Sequence, residues 1–468
     1  MISKDHVLPA SINNYSDAVR WLYDRIDYER IRPPAQSNPF RLERIEKLLK
    51  LIGSPQESIP AVHIAGTKGK GSTAAMIDSV LQAAGIRSGL FTSPHIEQFE
   101  ERMRVSGRMP DPVQLTRLVA ALCDLLQQAE MDANDRIPTF FEVTTLLAWM
   151  YFQEERIELA VLETGLGGRL DCTNVCTPKV TVITSIGLDH THILGDTLSR
   201  IAFEKAGILK RSIPVIQGQL PGDADAVVDA RARELSCPRF VCGRDFAWHV
   251  DQPQGRSQTN RRSQQISILT PQRNYPVLNV PLVGDHQAHN ASLAVMVCEL
   301  LAGHGFPQLE PSAIVEGIER TKWPLRFEVI EGHPQIVLDA AHNPDSMKAV
   351  AGVLGKSEWL NRRRVLVFAA SADKDSRSML EIILPHFDDV VLTRFLGNPR
   401  SVPPEQLLET TCNLCDTIMK PVARHTAVTP AIALDTARKL AGANGVVVVT
   451  GSLFLAAESR GLLLRSAS

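Results

Sequence analysis

Apolar and aromatic residues recur at helical spacing over residues 15–31 (Tyr15, Val19, Leu22, Ile26), and the same period returns in "RLERIEKLLKLIG", which Gly53 closes. The pattern then changes. "AVHIA" (61–65) reads as a buried strand; a glycine-rich turn follows, and "STAAMIDSVLQAAG" reads as the next helix. "LAVLET" (159–164) and "VTVITSIG" (180–187) are short apolar runs of the same look, and each ends in small or polar residues. Strands feeding loops in this rhythm predict an α/β sheet, in which ligands gather at the carboxyl ends of the strands.

Between 249 and 276 the pattern lapses into Gln, Arg and Ser, which predicts an exposed polar insertion or hairpin tip. Helical spacing resumes at 288–303, and Pro324 marks a hinge. Beyond it the runs "QIVLDA", "RVLVFAA", "DVVLT" and "GVVVVTG" alternate with helix-like segments. The expected organisation is therefore two α/β domains, 1–320 and a smaller 321–468, which suits a chain of 468 residues.

Composition narrows the function. A formal net charge of -2 with 22% charged residues excludes a protein that holds nucleic acid by bulk electrostatics. The basic runs "NRRRV" (361–365) and "GRSQTNRRSQ" (255–264) read as solvated surface. The eight cysteines (Cys123, Cys172, Cys176, Cys237, Cys242, Cys298, Cys412, Cys415) form no repeated pair of pairs, so they read as thiols of a reducing compartment. Cys412 and Cys415 lack the second pair or histidine cluster that a metal site needs. The N-terminus has no apolar signal core and no segment runs to eighteen apolar residues, so a cytoplasmic protein without membrane contact is expected.

The candidate chemistry begins at "GTKGKGST". Gly66, Gly69 and Gly71 allow backbone N–H groups to turn inward around phosphate oxygens, and the following helix adds its positive end. Lys70 supplies a point charge, with Thr67, Ser72 and Thr73 as the polar members of the loop. A glycine between Lys70 and Ser72 departs from the GxxxxGK[ST] spacing, and such a loop alone is also compatible with a structural turn; its place between strand and helix favours a nucleotide. Nucleotide phosphates bring magnesium, which takes oxygen ligands from separate elements. Ser93 in "LFTSPH", Glu163 in "LAVLETGLGG" and His190 in "SIGLDHTHILG" all end or follow predicted strands. Singly they read as a helix cap, a strand-end carboxylate and a loop histidine; together with the loop they suggest a metal–nucleotide centre.

The ordered set "HIAGTKGKGST", "GLFTSPHIEQFEERMRVSG", "FFEVTTLLAWMYF", "VLETGLGGRLDCTN", "IGLDHTHILGDTLSRIAFEKAGI", "GDHQAHNA", "LDAAHNP" and "TGSLFLAAESR" resembles the folylpolyglutamate synthase and dihydrofolate synthase family from about residue 16 to 460. The resemblance implies an N-terminal P-loop ATPase domain of Mur-ligase type, which also binds the pterin, and a smaller C-terminal Rossmann-like α/β domain for glutamate ligation. It implies that ATP phosphorylates a substrate carboxylate and that the amine of L-glutamate then displaces phosphate. Carried over residue by residue, Ser93, Glu163 and His190 are expected to hold magnesium, two ions in all, and Lys205 in "FEKAGI" to carry a carbamate. Asn290, beside Gln287, falls on the adenine position and Arg326 on a hinge arginine near the phosphates. Asp339 and His342 fall on the second domain's contribution to catalysis, alongside Lys70, Glu163, His190 and Lys205. Phe91, Pro94, Phe99 and Arg102 are expected to wall the pterin or an acidic tail. The chain departs from the family's usual residues at Lys68 (asparagine), Leu325 (glycine) and Ala340 (glycine). The implied partners are ATP, L-glutamate and dihydropteroate or folates, bound by a monomer.

Two rival functions remain in view. A cell-wall ligase joining an amino acid to a muramyl nucleotide shares the fold, but "GKGS" and "SPHIEQFEER" resemble the folate branch. A nucleotide-binding protein without catalysis would not need Lys70, Glu163, His190, Lys205 and Asp339 together. No single residue separates dihydropteroate from tetrahydrofolates as substrate.

Overall fold

Seven short apolar runs become one sheet: β1 (Ala61–Ala65), β2 (Ser88–Phe91), β3 (Met103–Val105), β4 (Leu159–Glu163), β5 (Pro178–Ile183), β6 (Val215–Gln217) and β7 (Arg239–Val241), in the order β3-β2-β4-β1-β5-β6-β7. Only β3 is antiparallel to its neighbour. β1, β2 and β4 are buried at every position, as expected for parallel strands covered on both faces. Parallel neighbours need long crossovers, and helices Lys70–Ala83 and Phe140–Glu154 supply two of them. The computed structural model describes residues 12–27, 41–129, 137–251, 263–356, 359–414 and 420–465.

One face of this sheet packs on Trp21, Leu22, Ile45, Leu48, Phe140 and Leu147 from the helices around Tyr15–Tyr23, Leu42–Leu51 and Phe140–Glu154. A second cluster gathers Ala65, Ile183, Ile201, Val215 and Val228. The first helix stops at Tyr23, short of the 15–31 span read from periodicity; residues 28–31 of that span lie outside the described residues.

The chain divides into two compact units. The first holds the chain up to His249 with Ser267–Leu278 and His289–Thr321; the second holds Val250–Ile266, Asn279–Ala288 and the chain from Lys322 onward. The main passage at Thr321–Lys322 lies beside the 320/321 edge read from the sequence, which had placed 250–266 and 279–288 in the first part. The described portion of the polar stretch is a three-stranded sheet of β8 (Ala247–Val250), β9 (Gln264–Leu269) and β10 (Asn274–Val280). Ile266, Ile268, Tyr275, Leu278 and Val280 are buried while Gln265, Leu269, Asn274 and Asn279 are exposed, an alternation diluted by the surrounding Gln and Arg. Residues 252–262 lie outside the described residues.

The second unit is built on β11 (Glu328–Ile330), β12 (Gln335–Leu338), β13 (Arg364–Phe368), β14 (Asp389–Leu392), β15 (Ala423–Thr426) and β16 (Val446–Thr450), ordered β11-β12-β16-β13-β14-β15. All neighbours are parallel except β11 on β12. Its core centres on Val337, Leu366, Phe368, Val390 and Val448. Among the described residues, no helix is long and apolar enough to cross a membrane.

Candidate active site

The order β2-β4-β1-β5 sets four carboxyl ends side by side, with Phe91 opposite Leu162, Ile64 opposite Glu163 and Ala65 opposite Ile183. The loops that leave these ends carry Ser93, Glu163, the glycine-rich turn and His190. Their proximity is a product of sheet topology, since the residues are as much as 124 positions apart in the chain (190 minus 66).

The glycine-rich turn is held from one side by the loop after β5. Thr67 N–H donates to the Ser185 carbonyl at 2.8 Å, Lys68 N–H to Ser185 Oγ at 2.9 Å, and Thr184 Oγ1 to the Lys68 carbonyl at 2.6 Å. A Cβ at Gly66 would fall 1.9 Å from Thr184 Oγ1, so this close approach admits glycine only. Gly69 precedes helix Lys70–Ala83 with φ +83°, and a Cβ there would meet Asn290 Oδ1 at 2.4 Å. Asn290, itself buried, therefore faces the turn directly. Among the described residues the buried Thr73 hydroxyl has no hydrogen-bond partner.

Lys70 Nζ lies 3.8 Å from Glu163 Oε1, and Glu163 Oε2 accepts the Ser93 N–H at 3.2 Å. Lys70, Glu163 and Ser93 thus form one group. Lys205, on helix Leu198–Ala206, is 3% exposed and donates from Nζ to the Gly66 carbonyl at 2.8 Å. Burial, and then the charge of Lys70, hold its ammonium well below the usual lysine range. His190 joins the turn indirectly: its N–H donates to Asp189 Oδ1 at 3.0 Å, and Asp189 Oδ2 accepts from Lys68 Nζ at 2.8 Å. Its ring is half-exposed, with the His192 ring 6.3 Å away.

Among the described residues no three His, Cys, Asp or Glu side chains converge on a metal-holding point. The expected magnesium set differs from such a cluster in using a serine. Its fit rests on Glu163, which already turns one oxygen toward a cation, the Lys70 ammonium. A carboxylate and a hydroxyl are the hard oxygen donors that magnesium takes, and His190 is the less usual member.

In the second unit, Asp339 directly follows β12 and is half-buried. Its Oδ1 accepts the Ala341 N–H and its Oδ2 the Phe327 N–H, both at 2.8 Å. Burial pushes its carboxyl up, against the opposing pull of Arg326 and these two amides. Arg326 sits between Leu325 and Phe327, whose φ values are +58° and +53°; Leu325 thus holds the left-handed backbone that a glycine would adopt without cost. Ala340, in place of glycine, donates its N–H to the Leu325 carbonyl at 3.0 Å. His342 Nδ1 lies 2.9 Å from the Ala340 carbonyl, an arrangement that fixes the ring against its own loop.

The expected pterin walls need correction. Phe91, Phe99 and Arg102 are each at most 2% exposed and are packed inside the protein. Arg102 Nε donates to His95 Nδ1 at 2.8 Å, its guanidinium lies 5.0 Å from the Phe140 ring centroid, and Phe99 and Phe140 meet edge to face. With Nδ1 accepting, His95 Nε2 carries the proton and donates to Tyr23 Oη at 3.2 Å. These side chains brace the loop; Pro94 alone of the four is exposed. Thr184, Ser185 and Asp189 were not singled out from the sequence, although they lie within "VTVITSIG" and "SIGLDHTHILG"; their only signal was that they follow an apolar run.

A family model described as the Mur ligase middle domain matches residues 64–298, and the Mur ligase glutamate ligase domain matches 325–453. Folylpolyglutamate synthase of Lacticaseibacillus casei is 34% identical over 457 residues, covering 96% of this chain and 99% of that one. The chain belongs to the folylpolyglutamate synthase and dihydrofolate synthase family. Another member of the family, dihydrofolate synthase/folylpolyglutamate synthase of Bacillus subtilis, is 36% identical over 371 residues, covering 78% of this chain and 82% of that one. Among solved structures of the family, E. coli FolC in complex with DHPP and ADP superposes with a TM-score of 0.82 at 27% identity, covering 98% of this chain and all of that chain. The folylpolyglutamate synthase reading thus extends through both units of the chain, including Arg326, Asp339 and His342 within the glutamate ligase match.

Proposed function

We propose that this chain is an ATP-dependent ligase that joins L-glutamate to the free carboxylate of dihydropteroate or a folate, through an acyl phosphate, and works as a cytoplasmic monomer. The observation that supports it most is the group at the strand ends, where Lys70, next to the glycine-rich turn, stands against Glu163, which accepts the Ser93 N–H.

A carboxylate is a poor acylating agent because its leaving group is poor. Phosphorylation removes that obstacle but brings the carboxylate up to the charged phosphates of ATP, and catalysis is then mostly positioning and charge neutralisation. In this proposal Gly66, Thr67, Gly69, Gly71, Ser72 and Thr73 surround phosphate oxygens, and Lys70 moves its charge from Glu163 toward them. Asn290, with Gln287, takes the adenine. Magnesium, held by Ser93, Glu163 and His190, supplies the remaining neutralising charge when bound. The substrate carboxylate oxygen attacks the γ-phosphorus, the bond to the bridging oxygen breaks, and ADP leaves. The glutamate amine then attacks the acyl carbon, and the tetrahedral intermediate collapses with loss of inorganic phosphate and a proton. Within the second unit, Arg326 is the nucleotide-binding residue and Asp339 and His342 the catalytic ones. Lys205 becomes a carbamate by attack of its neutral amine on carbon dioxide with release of a proton, turning a buried base into an anion. Any one such charge-stabilising group is worth about 2 to 4 kcal/mol in the transition state.

The test is glutamate-dependent phosphate release from ATP with dihydropteroate, tetrahydrofolate or a muramyl nucleotide, with Lys70→Ala as the blank. Turnover on both pterins is the expected result, as for a bifunctional enzyme. Turnover only on the muramyl nucleotide refutes the reading.

A further inference from the structure

The family resemblance leaves Lys68 without a role, yet its position in the fold is tightly defined. Its main chain is fixed to the loop after β5 by three hydrogen bonds: the N–H donates to Ser185 Oγ at 2.9 Å, and the carbonyl accepts from Thr184 Oγ1 at 2.6 Å and Ser185 Oγ at 3.0 Å. From that fixed base the ammonium reaches Asp189 Oδ2 at 2.8 Å, across 121 positions of sequence. Asp189 uses its other oxygen on the next residue. Oδ1 accepts the His190 N–H at 3.0 Å and lies 3.8 Å from His190 Nε2.

His190 needs such support. It sits at φ +49°, a left-handed conformation that is strained for a non-glycine residue, and its side chain is 46% exposed. We propose that Lys68, acting through Asp189, is a positioning residue that presents His190 for magnesium and thereby sets how much magnesium the enzyme needs to take up ATP. The proposal rests on the reading of His190 as a metal ligand given above. An ordinary surface ion pair would contribute almost nothing. This pair differs in that its carboxylate is 13% exposed and its two ends belong to separate loops, each of which carries a proposed ligand group. Partners that orient a metal ligand without touching the metal change metal affinity by about 10- to 100-fold when removed.

The experiment uses the full chain with Lys68→Met, Lys68→Arg, Asp189→Asn and His190→Ala. Calorimetric titration with ATP at a series of magnesium concentrations gives the concentration needed for half-maximal binding. Amide hydrogen exchange over residues 186–192 reports loop order, and the melting temperature reports folding. Lys68→Met and Asp189→Asn should each raise the magnesium requirement about tenfold and speed exchange in the loop, with little change in melting temperature, while Lys68→Arg restores most of the loss. If His190→Ala raises the requirement and Lys68→Met does not, the positioning role is refuted and the metal reading stands. If His190→Ala leaves the requirement unchanged, the metal reading fails and the inference falls with it. A lower melting temperature in Lys68→Met with an unaltered magnesium requirement shows a merely structural ion pair.

Discussion

Gly69→Ala tests the proposed phosphate-binding turn at a left-handed residue. Gly69 holds φ +83° at the entrance to helix Lys70–Ala83. Alanine pays about 1–2 kcal/mol for that left-handed conformation. The new methyl would also fall 2.4 Å from Asn290 Oδ1, so the asparagine must turn away. In the free protein the variant escapes the strain by relaxing the turn toward negative φ, which shifts the amides around Gly69 and Gly71. Binding ATP must restore them, and the strain then appears as lost affinity of about 5- to 30-fold. The clash with Asn290 adds to this, so Gly69→Ala should cost less affinity in an Asn290→Ala background than in the wild type. Calorimetric ATP binding measures both effects, with the melting temperature as the control for folding. Wild-type ATP affinity in Gly69→Ala refutes the assignment of this turn to the phosphates.

Asp78 is buried on helix Lys70–Ala83, accepting from Ser88 Oγ at 2.5 Å and Gln82 Nε2 at 2.7 Å, and burial pushes its carboxyl from 3.8 up to about 6. The folded protein therefore holds this proton more tightly than the unfolded chain, and the stability it confers is lost as pH rises from about 4 through about 6, about 3 kcal/mol in all. Asp78→Asn should flatten that part of the pH dependence of the melting temperature; equal slopes in variant and wild type would contradict the assignment. Arg44 makes two hydrogen bonds, at 2.6 and 2.7 Å, to Glu142, which is 3% exposed. Arg44→Ala leaves that carboxylate buried without its cation and should cost about 3–5 kcal/mol in chemical denaturation, partly recovered by adding Glu142→Gln. For Lys205, enzyme stripped of carbon dioxide should be nearly inactive and regain activity with bicarbonate, whereas Lys205→Ala should stay inactive. Full activity without bicarbonate sinks the carbamate.

The parts of this fold that could be read from sequence are those whose physics is local. β1, β4 and β5 are mostly apolar because both faces of a parallel sheet are covered, and the glycines at 66 and 69 mark a turn that side chains would obstruct. Ser93, Glu163 and His190 were legible as polar residues at strand ends. What local pattern could not convey was the strand order, which alone decides that Ser93 touches Glu163 and that Lys68 reaches Asp189. The pterin walls were misread for a related reason. Phe99 and Arg102 look like ligand contacts in a loop motif, but the aromatic packing with Phe140 and the hydrogen bond to His95 that bury them come from other elements. β9 and β10 escaped notice because their alternating apolar residues are diluted by Gln, Arg and Ser. Leu325 shows the limit of substitution patterns: it takes the left-handed backbone of a glycine and is fully buried while doing so.

The central claim is that this chain couples ATP hydrolysis to glutamate addition on a pterin-bearing carboxylate. The direct measurement is mass spectrometry of the product when purified protein is incubated with ATP, magnesium, L-glutamate and dihydropteroate or tetrahydrofolate, with phosphate release followed in parallel. The account predicts a product heavier by one glutamyl residue, one phosphate released per addition, and loss of both in Lys70→Ala. Phosphate release without glutamylated product, or glutamylation that persists in Lys70→Ala, would contradict it.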